Sequence, residues 1–445
     1  MKHKLEWSKL LSPQRVDGKN ITVSIDDGAQ RSAFEADYDR VVFSEPFRRL
    51  ARKTQVHPLA PNDHIHNRLI HSIEVGSVGR SLGKKIQHFL NQQHPQHADI
   101  LTHIPQIIQV GCMVHDIGNP PFGHAGEYAI REWLHTHQQL VFNDMHGKQL
   151  CDELTRTDLL LFEGNAQGFR LAARKDNNKC GYMRLTYASL GAMIKYPWTS
   201  TDPRAHSKKK FNIFASEQQI FTALATTMGL QHSDGTVARH PLSFFTEAAD
   251  DICYRMLDME DAVSMRIFPE EPIKKLFLHL AGCPDDNWKP IAMARGEAIS
   301  ALIDESLAVF IRDYPAIMAG ERQQDLKGDF SSRFDDGFQQ ISELYEIIFS
   351  HRAKLGYELG AYKIVGRIIK AFVLSIKSLC EKRDYTKIEY VSTRCFEMAW
   401  GKEYVCQHLQ QDYEWWLRQV FDFVSGLTDN YAIQISAEIE GIIPS

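Results

Sequence analysis

Paired cysteines, long apolar runs and strand-like alternation are all scarce in this chain of 445 residues. The eight cysteines include no Cys-x-x-Cys pair, which argues against a disulfide framework or a zinc ribbon. The most apolar stretch, 364–379, is interrupted by Arg367, Lys370 and Lys377, and the N-terminus lacks the apolar core of a signal peptide. We therefore expect a cytoplasmic protein that is neither exported nor inserted into a membrane.

An excess of charge of one sign is also missing. The formal net charge is −5, which gives no general affinity for nucleic acid, so any anion-binding site has to be local. Hydrophobic residues at 43% and charged residues at 24% are typical of a globular protein. Apolar residues recur at spacings of three and four in 104–115, 183–195 and 293–312, whereas 199–210 carries loop signals. This periodicity predicts an all-α fold.

The most informative segment runs from His115 to Glu127 and reads HDIGNPPFGHAGE. His115 and Asp116 are adjacent at the end of an apolar stretch and can bind one divalent metal, but two side chains do not complete a coordination shell. The Gly/Pro-rich loop after them brings a second histidine, His124, and Glu127 back beside the pair. The segment predicts a hydrolytic metal site.

The remaining ligands must come from elsewhere in the chain, and two segments offer them. His71 lies in a stretch with the apolar pattern of an amphipathic helix, and 245–258 reads as a carboxylate-rich helix with one polar face. The competing interpretation is that His71, His115 and Asp116 are hydrogen-bonded interior residues. We favour the metal site because buried charges need partners, and one motif explains these residues together.

The chain resembles the HD superfamily of metal phosphohydrolases and, within it, the bacterial deoxynucleoside triphosphate triphosphohydrolases, or dGTPase-like proteins. A bare His-Asp pair would recur by chance, but five ordered segments carry this resemblance. They are 47–56, 67–75, 115–127, 162–167 and 247–258. The resemblance implies the helical HD-domain fold with additional C-terminal helices.

The resemblance further implies that His71, His115, Asp116 and Asp250 are the four metal ligands. Imidazole and carboxylate donors suit Mn²⁺ or Mg²⁺ best, with Ni²⁺, Fe²⁺ and Zn²⁺ as alternatives. The choice of Asp250 over Asp251 rests on the resemblance alone, because helical spacing does not distinguish the two aspartates.

In the implied reaction, water attacks the α-phosphorus of dGTP or of several dNTPs and releases deoxynucleoside and intact inorganic triphosphate. The departing 5′-oxygen needs a proton, which His124 is placed to deliver. Glu127, three residues later, would orient His124 and stabilise its protonated form. The alternative for His124 and Glu127 is a pair that stabilises the loop beside Pro120 and Pro121.

Six further residues are implied contacts of the substrate. They are Gln55, Tyr254 and Asp258 for the sugar and Arg68, Lys195 and Lys210 for the phosphates. The plainer alternatives are local pairing for the glutamine and the arginine, ordinary helix packing or a solvated carboxylate for the tyrosine and the aspartate, and a solvated loop for the lysines.

The basic stretch after Lys195 leaves another anion open, single-stranded DNA, with Trp198 and Phe211 available for stacking on bases. Lys208 and Lys209 are expected at the surface. Three hypotheses follow: a dNTP triphosphohydrolase, another HD phosphohydrolase such as a nucleotidase or a cyclic-nucleotide or alarmone hydrolase, and a non-catalytic protein that binds nucleotides or single-stranded DNA. The histidine and glutamate after the Gly/Pro loop argue against the third.

We divide the chain into an N-terminal arm (1–30), an HD catalytic core (30–270) and a helical C-terminal region (271–445) for packing or oligomerisation. The C-terminal region contains no second set of metal ligands and no other motif that carries chemistry. The resemblance implies a homo-oligomer, often a hexamer, and no membrane partner.

Overall fold

The fold is helical in every part of the chain that the structure, a computed structural model, describes, which is residues 4–16, 31–55, 65–173, 183–350 and 352–442. These residues form 23 α-helices, four short 3₁₀ helices and isolated β-bridges, without a strand. The predicted all-α fold is therefore confirmed. The α-helices are α1 (Trp7–Leu10), α2 (Ala33–Val42), α3 (Glu45–Arg49), α4 (Arg68–Gln93), α5 (Ala98–Leu101), α6 (Ile104–Val114), α7 (His124–Thr136), α8 (Gln138–Phe142), α9 (Glu153–Leu160), α10 (Gly164–Ala173), α11 (Tyr187–Met193), α12 (Pro203–Lys208), α13 (Gln218–Thr227), α14 (Ser243–Ser264), α15 (Glu270–Ala281), α16 (Ile291–Arg312), α17 (Tyr314–Met318), α18 (Ser332–Ser350), α19 (Arg352–Lys382), α20 (Tyr390–Ala399), α21 (Lys402–Gln407), α22 (Tyr413–Gly426) and α23 (Asp429–Ile439). The 3₁₀ helices are Leu50–Arg52, Pro95–His97, Ala215–Glu217 and Lys327–Asp329.

Helix α6 follows the periodicity expected over 104–115 and ends one residue earlier. Pro105 occupies its first turn, where the missing N–H would have had no partner within the helix. Because the helix ends at Val114, His115 and Asp116 lie just beyond its last turn. The chain can therefore leave the helix axis there and enter the Gly/Pro-rich loop.

Two local expectations need correction. The helix expected over 183–195 is shorter, because the Thr186 side chain accepts a backbone N–H from the first turn of α11 and fixes its start. The stretch 199–210, expected as a loop, contains α12, which Asp202 caps in the same way. In both places one capping side chain decides where a helix begins, and apolar periodicity does not report it.

The apolar core consists of two clusters. The first core cluster includes residues from α1, α4, α6, α11 and α13–α18, and the second includes residues from α7–α9, α19, α20, α22 and α23. Trp7, in the predicted arm, is buried in the first cluster, and its Nε1 donates to the Tyr314 hydroxyl at 2.8 Å. The predicted boundaries at residues 30 and 270 therefore do not separate the two clusters. The rest of the predicted arm, 1–3 and 17–30, lies outside the described residues.

The closest helix packing in the first core cluster joins α4 to α6. Three glycines of α4, Gly76, Gly79 and Gly83, face α6, and a Cβ on the second of them would lie 2.4 Å from Cys112 Sγ. A Cβ at Gly83 would lie 2.5 Å from the Cα of Pro105. The two helices run antiparallel, so this contact brings the first turn of α4 beside the end of α6. That arrangement places His71 beside the residues that follow α6.

The described cysteines and helices show neither a crosslink nor a membrane span. The seven cysteines that the structure describes are free, and four of them are buried. Cys180 lies outside the described residues. No helix in the described ranges combines the length and the apolar character needed to cross a membrane.

Candidate active site

Three of the four predicted metal ligands meet where α4, α6 and α14 join. His71 lies in the first turn of α4, which Asn67 caps by accepting two backbone N–H groups. His115 directly follows α6, and Asp250 lies within α14. The Nε2 atoms of the two histidines are each 3.2 Å from Oδ1 of Asp250. The three ligand atoms lie within 4.8 Å of one another, so one metal ion can bridge them.

The ring orientation of His115 suits metal binding. Its Nδ1 lies 2.6 Å from the carbonyl oxygen of Cys112, and a carbonyl only accepts, so the neutral ring carries its proton on Nδ1 and its lone pair on Nε2. That lone pair faces the Oδ1 atom of Asp250, and the two would repel each other. The arrangement is stable only if a cation lies between them or if the ring is protonated. Burial lowers the pKa of His115, but Asp250 and Asp116 raise it by more. The donor set therefore fits a divalent cation.

The fourth predicted ligand, Asp116, lies at the edge of this group. Its Oδ1 is 3.5 Å from Nε2 of His115 and accepts from Asn119 Nδ2 at 2.5 Å. Its Oδ2 accepts from Arg68 Nη1 at 2.5 Å. Burial raises the pKa of Asp116, but Arg68 and the neighbouring imidazoles lower it by more, so the carboxylate stays ionised. Asp116 is thus adjacent to the other ligands and is oriented by an arginine and an amide.

The two adjacent aspartates of α14 have different partners. Oδ2 of Asp250 accepts from Lys195 Nζ at 2.8 Å. Burial raises the pKa of Asp250, but Lys195 leads the groups that lower it well below its usual range. The Asp251 carboxylate instead pairs with Arg255 at 2.7 Å and with Lys327 at 2.8 Å. The structure therefore distinguishes two aspartates that helical spacing leaves equivalent.

A second pair of side chains lies where α7 begins. His124 is the first residue of α7, and its side chain is 72% exposed. Its Nδ1 lies 3.0 Å from Oε2 of the buried Glu127, whose Oε1 accepts from the Gly164 N–H at 2.7 Å. Burial raises the pKa of Glu127, but His124 and Lys210 lower it below its usual range. The anionic glutamate fixes the imidazole through Nδ1 and leaves Nε2 for a ligand.

A cavity of about 260 Å³ lies beside both groups. Its lining contains two predicted metal ligands, the exposed histidine and three predicted substrate contacts. They are Asp116, Asp250, His124, Gln55, Arg68 and Tyr254. Two polar atoms of lining residues, Oε1 of Gln55 and Nε of Arg68, are buried without a hydrogen-bond partner in the described protein. The charged and polar side chains that line the cavity fit a polar ligand.

Comparison with known proteins places this geometry in a family. Residues 68–160 match the HD domain. A deoxyguanosinetriphosphate triphosphohydrolase-like protein of Pseudomonas aeruginosa is 36% identical over 98% of this chain and 99% of its own length. One of Synechocystis is 32% identical over 98% of this chain and 100% of its own length. The deoxyguanosinetriphosphate triphosphohydrolase of Salmonella paratyphi A is 30% identical over 97% of this chain and 96% of its own length.

The chain belongs to the dGTPase-like family of HD-domain proteins. The resemblance predicted from the five motif segments is therefore confirmed. The names of the relatives indicate a hydrolase of the triphosphohydrolase type. Because the similarity extends over nearly the whole chain, it includes both core clusters and the helices after the HD match.

In this dGTPase-like chain the two lysines predicted to bind the triphosphate pair with carboxylates. Lys195 donates to Asp250, one of the predicted metal ligands, as described above. Lys210 Nζ donates to Glu163 Oε1 at 2.6 Å and lies 3.9 Å from Glu127 Oε2. Neither lysine is among the residues that line the cavity. Each ammonium group has three N–H donors, so the contact with a carboxylate leaves donors for a phosphate oxygen.

The aromatic rings considered for stacking on single-stranded DNA are not available to it. Trp198 is 5% exposed and Phe211 is 1% exposed. The Arg204 guanidinium also covers the Trp198 ring, 4.3 Å from its centroid. That expectation was wrong, because both rings belong to the second core cluster of this dGTPase-like fold. Lys208 and Lys209 are exposed, as expected.

Tyr254 and Asp258, the predicted sugar contacts of α14, occupy different environments. Tyr254 lines the cavity and stacks on Tyr345, with the ring centroids 5.0 Å apart. Asp258 is 2% exposed, and its Oδ2 accepts from the Tyr345 hydroxyl at 2.8 Å. Burial raises the pKa of Asp258 to about 8. The structure thus brings the tyrosine to the cavity and holds the aspartate behind it.

Five residues that shape the site were not predicted from the sequence. They are Lys53, Asn119, Glu163, Tyr357 and Asp429. The first three lie within segments that carry the dGTPase-like resemblance, so their position in those motifs was a usable signal. The last two lie far from every motif, and no local pattern marks them.

Proposed function

We propose that this protein hydrolyses dGTP or several dNTPs to the deoxynucleoside and inorganic triphosphate, with a divalent metal as cofactor. The relatives named deoxyguanosinetriphosphate triphosphohydrolase support this reaction class. The observation that carries the proposal is the shared cavity, whose lining joins two predicted metal ligands to an exposed histidine and to the polar side chains of Gln55 and Arg68.

The metal would be held by His71, His115 and Asp250, with Asp116 beside them. Mn²⁺ and Mg²⁺ are the cofactors we propose first, with Ni²⁺, Fe²⁺ and Zn²⁺ as alternatives for this mixed nitrogen and oxygen donor set. A divalent ion bound there would supply positive charge to the phosphates and acidity to water. Arg68, already hydrogen-bonded to Asp116, lines the same cavity, so its guanidinium group would contact an α- or β-phosphate oxygen.

His124 would donate the proton that the departing 5′-oxygen requires. Its Nδ1 forms a hydrogen bond with Glu127, so Nε2 is the ring atom that would contact the 5′-oxygen of the substrate. The hydrogen bond between Nδ1 and the buried glutamate holds the ring in one orientation. General-acid catalysis of this kind contributes about 10²- to 10⁴-fold to a rate.

Gln55 and Tyr254 would contact the deoxyribose and distinguish it from ribose. Gln55 lines the cavity, and its amide group can form a hydrogen bond with a deoxyribose hydroxyl. The Tyr254 ring, held by its stacking on Tyr345, offers a flat apolar surface to the C2′ position. A ribose 2′-hydroxyl against this ring would lose its hydrogen bonds to water, so we expect ribonucleotides to be poor substrates.

A product assay tests this function directly. The protein is incubated with Mn²⁺ or Mg²⁺ and each dNTP, beside GTP and an EDTA control, and the products are separated by ion-exchange chromatography. Deoxynucleoside and intact triphosphate, absent with EDTA and with GTP, would support the proposal and rank the bases. If neither single dNTPs nor mixtures of them turn over, the proposed function is wrong.

A further inference from the structure

One buried carboxylate of the C-terminal helices holds two separate segments of the cavity wall. Asp429, at the start of α23, is 3% exposed. Its Oδ2 accepts from the Thr54 backbone N–H at 2.8 Å, and its Oδ1 accepts from the Phe122 backbone N–H at 2.8 Å. The Tyr357 hydroxyl donates to Oδ2 at 2.6 Å. A single side chain therefore joins residues that are 68 positions apart in the sequence, as counted from their numbers.

Each of the two held segments leads directly into a proposed substrate contact. Thr54 precedes Gln55, whose Oε1 has no partner in the described protein. Phe122 lies two residues before His124, the proposed proton donor. The position of the backbone at Thr54 and Phe122 consequently sets where both side chains point.

The loop before His124 needs such a restraint. Phe122 has a φ of 68° and Gly123 a φ of 57°, and a bulky residue rarely adopts the left-handed region. Strained backbone of this kind persists only where its surroundings fix it. The hydrogen bond from the Phe122 N–H to Asp429 and the edge-on packing of its ring against Tyr357, with centroids 5.1 Å apart, supply that restraint.

A second buried contact ties the same regions together. Lys53 is 2% exposed, and its Nζ donates to the carbonyl oxygens of Asn119 and Ser425, each at 2.6 Å. The first carbonyl lies in the loop that follows His115, and the second lies in α22. Two independent contacts therefore fasten α22 and α23 to the loop that carries the proposed chemistry.

We propose that Asp429 is a positioning residue for hydrolysis and that the C-terminal helices complete the active site through it. This inference rests on the proposed function. Asp429 is not among the residues that line the cavity; it acts by fixing the backbone before Gln55 and before His124. The region after residue 270 thus contributes to the chemistry of this chain as well as to its packing.

A carboxylate is required at this position because three donors converge on it. An asparagine has one acceptor oxygen and an NH₂ group that would face one of these donors. Asp429→Asn therefore keeps the shape of the side chain and leaves at least one of the three donors unpaired. Tyr357→Phe removes one donor and keeps both backbone contacts, so its effect is in the same direction and smaller.

The test compares Asp429→Asn, Tyr357→Phe and the matched control Asp412→Asn. Asp412 caps α22 by accepting the Trp415 N–H at 2.8 Å, and it is exposed. For each purified full-length protein we would measure kcat and KM with Mn²⁺ and dGTP, the dGTP-over-GTP preference, Mn²⁺ affinity by electron paramagnetic resonance, thermal unfolding, and hydrogen exchange of the amides of Thr54 and Phe122.

We expect Asp429→Asn to lower kcat about 100-fold and to reduce the dGTP-over-GTP preference, since small displacements of reacting groups cost about that much. Mn²⁺ affinity should stay within about twofold of wild type, because α4, α6 and α14 still hold the ligands. Both amides should exchange faster. The Asp412 control should keep both thermal stability and kcat close to wild type, because asparagine caps a helix about as well as aspartate. A merely structural role would lower the melting temperature and leave kcat per folded molecule unchanged.

The two failures can be told apart. If wild type hydrolyses dNTPs and Asp429→Asn has the wild-type kcat, the inference is overturned while the proposed function stands. If wild type hydrolyses no dNTP, the proposed function fails, and the exchange of the two amides decides the inference: unchanged exchange overturns it, and faster exchange retains Asp429 as the residue that holds both segments.

Discussion

The two ends of the cavity are built in different ways. The metal-directed end consists of His71, His115 and Asp250, which three helices of the first core cluster hold within 4.8 Å of one another. The end with the proposed proton donor, called here the proton-donor end, consists of His124, whose side chain is 72% exposed, and the buried Glu127. The side chains of the first end project from closely packed helices and pair with one another. The second depends on a strained loop and on contacts from distant helices.

The two ends of the cavity therefore depend on different parts of the molecule. The metal-directed end uses side chains from one tightly packed helix group, so it should survive changes in the C-terminal helices. The proton-donor end takes its backbone restraint from Asp429 and its charge environment from Lys210 and Glu163. We expect substitutions at the metal-directed end to lower metal affinity. Substitutions at the proton-donor end should lower kcat and leave metal affinity unchanged.

The largest effect should come from His115→Ala. Removal of one imidazole leaves too few ligands for the ion, so metal binding and hydrolysis should both fall to background. Mn²⁺ titration and the product assay measure the two properties on the same sample. His135→Ala, an exposed histidine of α7, is the control and should behave as wild type. Wild-type metal affinity in His115→Ala would remove this residue from the ligand set.

His124→Ala should separate the two ends. The variant should bind Mn²⁺ and dNTP as wild type does, since the metal ligands are untouched, and lose about 10²- to 10⁴-fold in kcat. Glu127→Gln should follow it with a smaller loss, because the imidazole keeps a hydrogen-bond partner but loses the anionic one. Steady-state kinetics across pH, with Mn²⁺ affinity measured in parallel, is the experiment. Full activity of His124→Ala would contradict the proton-donor role.

Gln55→Ala should have a smaller effect, confined to sugar recognition. One hydrogen bond is worth about 0.5–1.5 kcal/mol net, so kcat/KM for dGTP should fall by up to about tenfold with unchanged metal affinity. Competition between dGTP and GTP gives the change in preference. Gln92→Ala, on the exposed last turn of α4, serves as the comparison. An unaltered dGTP-over-GTP ratio in Gln55→Ala would rule out a sugar contact there.

Asp258→Asn should have the smallest effect, and it should appear in stability. The folded pKa of Asp258 is about 8, above the value of about 4 in the unfolded chain, so the folded state binds the proton more tightly between these pH values. This group therefore makes the free energy of unfolding decrease as pH rises from about 4 to 8, by up to about 1.4 kcal/mol per unit.

Thermal unfolding of wild type and Asp258→Asn at several pH values measures that contribution. The variant should lack the alkaline decline and should be more stable than wild type near pH 8. Asp335→Asn, at an exposed aspartate of α18, should retain the wild-type slope. Parallel curves for wild type and Asp258→Asn would show that this carboxyl group is ionised in the folded protein at neutral pH.

The sequence was sufficient for the features whose signals are local. The three- and four-residue spacing of apolar side chains predicts α6 to within one residue, because burial of one helix face requires that spacing. Adjacent motif residues such as His115, Asp116 and His124 lie on one short segment, so their proximity follows from chain connectivity. The family resemblance added His71 and Asp250, which are 179 residues apart.

The features that the sequence did not reveal depend on tertiary packing. Nothing in the periodicity of 199–210 shows that Trp198 is buried beneath Arg204, because a charged loop and a covered ring have the same local composition. Asp429 resembles any other aspartate at the start of a helix until α23 is packed against the loop before His124. Such contacts join residues hundreds of positions apart, and a single sequence does not record them.

The packing of α4 against α6 has a consequence for ion selection. Gly79 leaves no room for even one methyl group against Cys112, and it lies about 12 Å along the helix axis from His71. Because His71 and His115 lie at the adjoining ends of these helices, the helix spacing determines how far apart their Nε2 atoms can be. We therefore expect the contact between these two apolar helix faces to influence which ion the proposed site prefers. Substitutions at residues that never touch the ion would then change that preference.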